Sequence, residues 1–188
     1  MKKSLGAKTI LFPTPVLIIC SYDDQGIPNA MNVAWGGIAC SEPPAVTISV
    51  RDHRKTYENI MLKKAFTVNI PSEKHIKEAD YFGLVSGKTE NKFKTTGLTP
   101  VKSDLVDAPY IKEFPFIMEC TLKESHKIGI HTQFIGEIKD VKVDEELLNP
   151  KGFPDITKIK PFMFDPGTSS YYSTGKFLAQ AFSIGKKK

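Results

Sequence analysis

The sequence predicts a mainly β chain of the α+β kind, a barrel with helical insertions, and three observations carry that expectation. Apolar runs rich in β-branched residues recur at 16–22, 45–50, 65–70 and 116–123. A further run at 128–143 is long enough to need a bend, and Gly136 inside it permits one. Helical patterns interrupt these runs without the regular βαβ alternation of a parallel sheet. The 188 residues (20.9 kDa) suit one domain of ordinary size.

The run at 16–22 ends at Asp23-Asp24-Gln25-Gly26, a turn composition, and 27–37, rich in Asn, Ala and Gly, contains a short strand. The strand at 45–50 feeds a helix over about 54–63, where Tyr57, Ile60, Met61 and Lys64 follow the helical period and Asp52 is the expected N-cap. After the strand at 65–70, Ser72 caps a second helix with Ile76, Ala79 and Gly83 on one face, closed by Ser86-Gly87. Beyond Pro109 only strands are expected. His126 and His131, five apart in one strand, would point to opposite faces and form no joint metal site. Pro150, Pro154, Pro161 and Pro166 make 149–167 a segment wrapping the barrel.

Composition excludes several classes. With 40% hydrophobic and 25% charged residues and no biased tract, the chain is globular. Pro13 and Pro15 break the one apolar stretch near the start, so no membrane span is expected. Lys2 and Lys3 before that stretch mimic a signal peptide with Cys20 as an anchor, but bulky Ile19, the two prolines and the lack of an A-x-A site favour the cytoplasm. Cys20, Cys40 and Cys120 are odd in number and widely spaced, which fits a reducing compartment and neither zinc nor a dithiol. The charge of +5 owes much to the tail Lys186, Lys187 and Lys188; no basic stripe interleaved with aromatics marks a nucleic-acid partner.

Three stretches offer chemistry. In 46–56 a buried-type strand runs into a helix N-terminus bearing Arg51, Arg54, Lys55 and Thr56. Cations there oppose the helix dipole, and an anion held by first-turn N–H groups and side chains would compensate them. Ser86, Gly87 and Lys92 follow the second helix and could reach the same anion, although solvated turns have similar composition. Asn29, Ala30, Met31, Asn32, Val33, Ala34 and Trp35 combine carboxamides, small residues and the sole Trp, a composition for a flat heterocycle or for a core Trp beside a glycine turn. No G-x-G-x-x-G, Walker, G-x-S-x-G or H-E-x-x-H motif is present.

The ordered set Asn29-Ala-Met, Glu42-Pro-Pro, Ile48-Ser-Val-Arg51, Thr56, Phe66 to Pro71, Ser86-Gly, Lys92-Phe, Gly129-Ile-His131 and Ile135-Gly-Glu137 resembles the flavin reductase-like family over about 9–182. The resemblance implies a split β-barrel that binds FMN non-covalently, in a homodimer with the flavin near the subunit interface. It places 29–35 along the isoalloxazine and ribityl, with Ser49 and Val50 beside them. Arg51, Arg54, Lys55, Thr56, Ser86, Gly87 and Lys92 would surround the phosphate. Three positions depart from the family pattern: Glu42 and Asn91 stand where Asp is common, and Ile130 replaces the Asp that often precedes the histidine. His131 is then a candidate catalytic residue that tunes the flavin without an adjacent carboxylate.

The expected activity is FMN-dependent electron transfer from NAD(P)H or a redox partner protein to a small-molecule acceptor. An NAD(P)H:flavin or ferric reductase is one alternative, and a noncatalytic phosphate- or nucleic-acid-binding barrel another.

Overall fold

A computed structural model describes residues 1–186; Lys187 and Lys188 of the expected basic tail lie outside the described residues. The strands and helices in chain order are β1 (Thr14–Pro15), β2 (Leu17–Tyr22), β3 (Pro28–Val33), β4 (Gly36–Ser41), β5 (Pro44–Arg51), α1 (Lys55–Lys63), β6 (Ala65–Ile70), α2 (Ile76–Leu84) and α3 (Lys92–Thr96). They continue with β7 (Pro100–Lys102), β8 (Pro109–Ile111), β9 (Phe116–Ile128), β10 (His131–Val143), α4 (Ile156–Ile159), β11 (Phe162–Asp165) and β12 (Ser170–Ser173). Seven strands form one antiparallel sheet in the order β3-β2-β6-β9-β10-β5-β4; β1-β11-β12 and β7-β8 form two small sheets. This is the mainly β, split-barrel class that the sequence predicts.

The continuous apolar run of β2 is explained by burial on both faces, because its side chains alternate between two cores. Leu17 and Ile19 join Val46, Ile48, Val50, Phe66, Val68 and Phe134 inside the main sheet. Ile18 and Cys20 face Ala79, Phe82, Phe93, Ile111 and Phe114 in the second core, under α2 and α3. Asn69, fully buried, ties the sheet to β8: Nδ2 donates to the Ile18 carbonyl (3.0 Å) and Oδ1 accepts from the Ile111 N–H (2.9 Å).

The long run at 128–143 is half of a hairpin. Gly129, at φ +55°, and Ile130 form its turn, so His126 and His131 stand on neighbouring strands, not on one strand as their spacing predicts. The bend expected at Gly136 is present as a register shift between Ile135 and Gly136. A Cβ at Gly136 would lie 2.8 Å from Phe66 Cε1 and 3.1 Å from Cys120 Cβ, so the sheet closes over the core only with glycine there.

Several boundaries differ from expectation for local reasons. Asp52 does not cap α1; the turn closed by Arg54 N–H to Arg51 carbonyl (3.1 Å) intervenes, Arg54 takes the cap position, and Asp52 accepts from Thr132 Oγ1 (3.0 Å) and pairs with Lys127. Ser72 precedes a single 3₁₀ turn, Glu73–His75, and makes no side-chain cap bond. Helices do not stop at Pro109: within 149–167, Asp155 caps α4 by accepting from the Thr157 N–H (2.9 Å), and β11 follows. α3 is capped in the same way by Asn91, which accepts from the Lys94 N–H (3.1 Å). No described helix is long and apolar enough to cross a membrane.

Gly136→Ala is expected to destabilise the protein by about 1–3 kcal/mol, the usual cost of overpacking a core, and Phe66→Leu in the same chain to recover part of that loss. Urea-unfolding midpoints of the single and double variants check this; additive losses would mean that Phe66 is not what the new methyl meets.

Candidate functional site

Two adjoining hollows share Met31 and Arg54 and so form one trough running from the end of β5 to the start of α1. The wide end, about 270 Å³, is walled by Met31, Val33 and Trp35 from β3 and the residues after it, and by Ser49 and Arg51 from β5. His131 from β10 and Phe164 from β11 complete it. The narrow end lies between the first turn of α1 (Lys55, Thr56) and the loop carrying Val85, Ser86 and Gly87, with Asn29 and Lys92 in its walls. Asn32 and Ala34 also line the wide end.

Strand alternation decides which expected residues belong. Ser49 and Arg51 face the trough, whereas Val50 points the other way into the core with Ile48 and Phe134 and is fully buried. Placing Val50 with its neighbours therefore fails for its side chain. Phe164 and Val85 are additional lining residues that the sequence did not single out for this site. Val85 is the neighbour of Ser86, while Phe164 arrives because β11 pairs with β1.

The narrow end has the features of an anion site. Arg54, at the cap of α1, makes no side-chain bond to the first-turn N–H groups; the Tyr57 N–H donates to the Arg54 carbonyl (3.0 Å), which leaves the Lys55 and Thr56 N–H groups at the positive end of the helix for a ligand. Among the described residues, no carboxylate lies within 4 Å of either the Arg51 or the Arg54 guanidinium. Lys55 is partly compensated by Asp23 at 3.7 Å. Thr56 is 1% exposed, and its Oγ1 accepts from Asn29 Nδ2 (2.9 Å), so its own hydroxyl proton remains to be donated. Gly87 sits against Asn29; a Cβ there would come within 2.8 Å of Asn29 Cγ, which makes glycine the residue that lets the loop close on the pair.

Lys92 is in the wall, but its ammonium is turned to the backbone, donating to the Ala30 carbonyl (2.8 Å) and the Phe82 carbonyl (3.0 Å). Burial, reinforced by Arg54, lowers its pKa to about 8. Gly36 shapes the wide end: a Cβ there would meet Leu17 Cδ1 at 2.8 Å and the Thr47 carbonyl at 2.9 Å, so β4 leaves Trp35 at close approach to β5.

His131 is the Cα partner of Arg51 across β10 and β5. Burial, then Arg51 and Lys127, holds its pKa below the usual histidine value, so the imidazole is neutral at pH 7. It is placed beside the wide end as a neutral hydrogen-bonding group, not as a standing cation. In the ligand-free protein a His131 titration by NMR is expected to have its midpoint below the usual value, and Arg51→Gln to raise it. The folded state then binds that proton less well than the unfolded chain, so acidification through the histidine range lowers stability. A midpoint that does not move in Arg51→Gln would exclude the cross-strand cation as a cause.

A family model described as the flavin reductase like domain matches residues 9–168. The structure of a flavoredoxin of Desulfovibrio vulgaris (Miyazaki F) is 50% identical, with a TM-score of 0.95 over 99% of this chain and 100% of that one. A flavoredoxin from Methanosarcina acetivorans is 28% identical, with a TM-score of 0.91 over 99% and 98%. An uncharacterized protein of Archaeoglobus fulgidus is 31% identical over 146 residues, 78% of this chain and 80% of that one. The ordered motifs, the fold and the family match agree: this chain belongs to the flavin reductase like domain family.

Proposed function

We propose that this chain binds FMN without a covalent bond and passes electrons through it, as an electron-transferring oxidoreductase. The observation that supports this most is the charge arrangement of the trough: the Arg54 guanidinium, without a carboxylate partner, and the N-terminus of α1 at one end, and the side chains of Trp35, Phe164 and Arg51 at the other, with Met31 lining both. The residues fit the cofactor. A phosphate monoester matches Arg54, Thr56 and the first-turn N–H groups of α1. A flat ring matches the wide end, whose volume of about 270 Å³ is near the lower bound of small-molecule sites. The flavoredoxin at 50% identity supports the electron-transfer part of the reading.

FMN, when bound, supplies the redox chemistry by accepting and releasing electrons. The chain's own residues do the rest. Arg54, Thr56 and the Ser86-Gly87 loop hold the anionic end, and Asn29 keeps the Thr56 hydroxyl turned for donation. Trp35, Met31 and Phe164 keep water from one side of the wide end, and Arg51 sets positive potential there with neutral His131 beside it. The inward convergence of cations supports this reading over a barrel that binds nucleic acid across its surface.

A homodimer is part of the proposal. Of the tail aromatics, Phe162 enters its own core and Phe164 and Tyr171 pack beside it, but Tyr172 and Phe177 stay exposed, together with Leu11 and Phe12 near the other terminus. A second copy of the chain is a natural cover for such surface. The unbridged cysteines Cys20, Cys40 and Cys120 support residence in the cytoplasm.

Calorimetry with FMN and riboflavin tests the site: one FMN per chain is expected, bound more tightly than riboflavin, and Arg54→Ala is expected to weaken FMN more than riboflavin. Equal affinities for the two ligands would remove the anion site from the account. Rapid mixing of the loaded protein then separates donors, because fast bleaching by NADH or NADPH marks a nicotinamide-dependent reductase, and bleaching only by dithionite or a redox protein marks a carrier. Light scattering is expected to give twice the chain mass at micromolar concentration, and a monomer would remove the dimer.

A further inference from the structure

One wall of the wide end is not tied to the main sheet by strand pairing. Phe164 reaches it from β11, and the small sheet β1-β11-β12 is separate from the seven-stranded one. β11 and β12 form a hairpin in which Phe164 is the Cα partner of Tyr171. Its turn closes on the buried Asp165, which accepts from the Gly167 N–H (2.7 Å) and the Thr168 hydroxyl (2.5 Å). The Tyr171 ring packs on both phenylalanines of β11, its centroid 5.5 Å from that of Phe162 in an edge-on contact and 5.6 Å from that of Phe164. Its hydroxyl donates to Asp80 Oδ1 on α2 (2.8 Å). Among the described residues no cation lies within 4 Å of that carboxylate.

The same helix fastens a second wall. Asn32, which lines the wide end with Trp35 and Phe164, donates through Nδ2 to the carbonyl of Ala79 (2.9 Å), one residue before Asp80. Two walls of the wide end, from β3 and β11, are thus attached to adjacent residues of α2. We propose that Tyr171 is a positioning residue for the flat end: bonded to Asp80 and packed on Phe164, it holds the β11–β12 hairpin as a wall of the trough and so sets how closely a planar aromatic ligand is covered. Aromatic contact and the exclusion of water act on the ring of such a ligand, not on its phosphate. Tyr171 then contributes affinity for the ring and leaves the preference for a phosphate monoester to Arg54 and α1. The inference rests on the flavin reading only for which planar ligand is covered.

Trp35, the sole tryptophan, gives a probe that needs no ligand. Acrylamide quenching of its fluorescence in the full-length, flavin-free protein reads how far the wide end is open, and calorimetry with FMN and riboflavin reads the cover on a bound ring. Tyr171→Phe keeps the aromatic ring and removes the hydrogen bond. It is expected to raise the quenching constant and to weaken FMN and riboflavin by the same factor, up to about tenfold for the loss of a hydrogen bond to a charged group. Asp80→Ala is expected to do the same, and Asp80→Asn, which keeps an acceptor, to behave as the wild type. Asp80→Ala and Tyr171→Phe in one chain are expected to do no more than either alone. A merely structural tyrosine would lower the unfolding midpoint and move neither the quenching nor the affinities.

Unchanged quenching in Tyr171→Phe overturns the proposal. So does a loss confined to FMN, which would put the effect at the anion end, and so do additive losses in the double variant, which would mean that hydroxyl and carboxylate act apart. Should Tyr171→Phe not fold, the contrast between Asp80→Ala and Asp80→Asn decides. A wild type that binds neither flavin defeats the flavin reading, and the quenching comparison then decides on Tyr171 by itself. Flavin affinities left untouched by an opened wide end would sink the positioning role and leave the flavin reading standing.

Discussion

Arg51 and Arg54 line one trough and Lys92 is buried in its wall, and within the described residues none of the three has a carboxylate partner. Like charges held close together repel, and a flexible surface would let them swing apart into water. Here each is fixed to a separate rigid element: Arg51 ends β5, Arg54 caps α1 and Lys92 opens α3. The organisation of the protein follows from keeping these three anchors in place with an opening between them. The Lys88–Glu58 ion pair and the Tyr81–Glu90 hydrogen bond hold the intervening loop to α1 and α2.

The barrel supplies the rigidity. β5 lies between β4 and β10: β10 pairs with it from Ala45 to Arg51, β4 from Pro44 to Ile48, and the Ser49 N–H donates to the Trp35 carbonyl (2.8 Å) just beyond β4. β3 is an edge strand and needs other support. It is paired to β2 on one side, while the Lys92 ammonium on Ala30 and the Asn32 carboxamide on the Ala79 carbonyl pin it to the helices. Glu119, fully buried in β9, accepts from the Leu105 N–H and pairs with Lys142 at 2.7 Å, binding the loop before β8 to the hairpin. Removing Lys142 would strand the buried Glu119 carboxylate, a loss of about 3–5 kcal/mol in comparable cases. The trough is thus assembled from residues at 29–35, 49–56, 85–92, 131 and 164, which only the closed sheet brings together.

Much of this is legible in the sequence, and what is missing has physical causes. Apolar runs mark β2, β5, β6 and the first half of β9 because those stretches are largely buried, and cations at the start of α1 mark an anion site because they oppose the helix dipole. α3 and α4 have five and four residues, too few to display a helical period. The β9–β10 turn was hidden because Ile130, an apolar residue, sits in it beside Gly129. Val50 lies between Ser49 and Arg51 in the chain, but the two-residue alternation of a strand turns its side chain to the opposite face, into the core. Phe164 and the bonding of Lys92 depend on pairings between distant parts of the chain, for which one sequence carries no local signal.

The central claim is that the trough has a direction, with the anion end at α1 and the flat end at Trp35. A crystal structure of the protein with FMN measures this directly. The account predicts the phosphate against the first turn of α1, between Arg54 and the Ser86-Gly87 loop, with the ring system beside Met31 and Trp35. A ring seated at the α1 end, or a phosphate facing solvent away from Arg54 and Thr56, would contradict it.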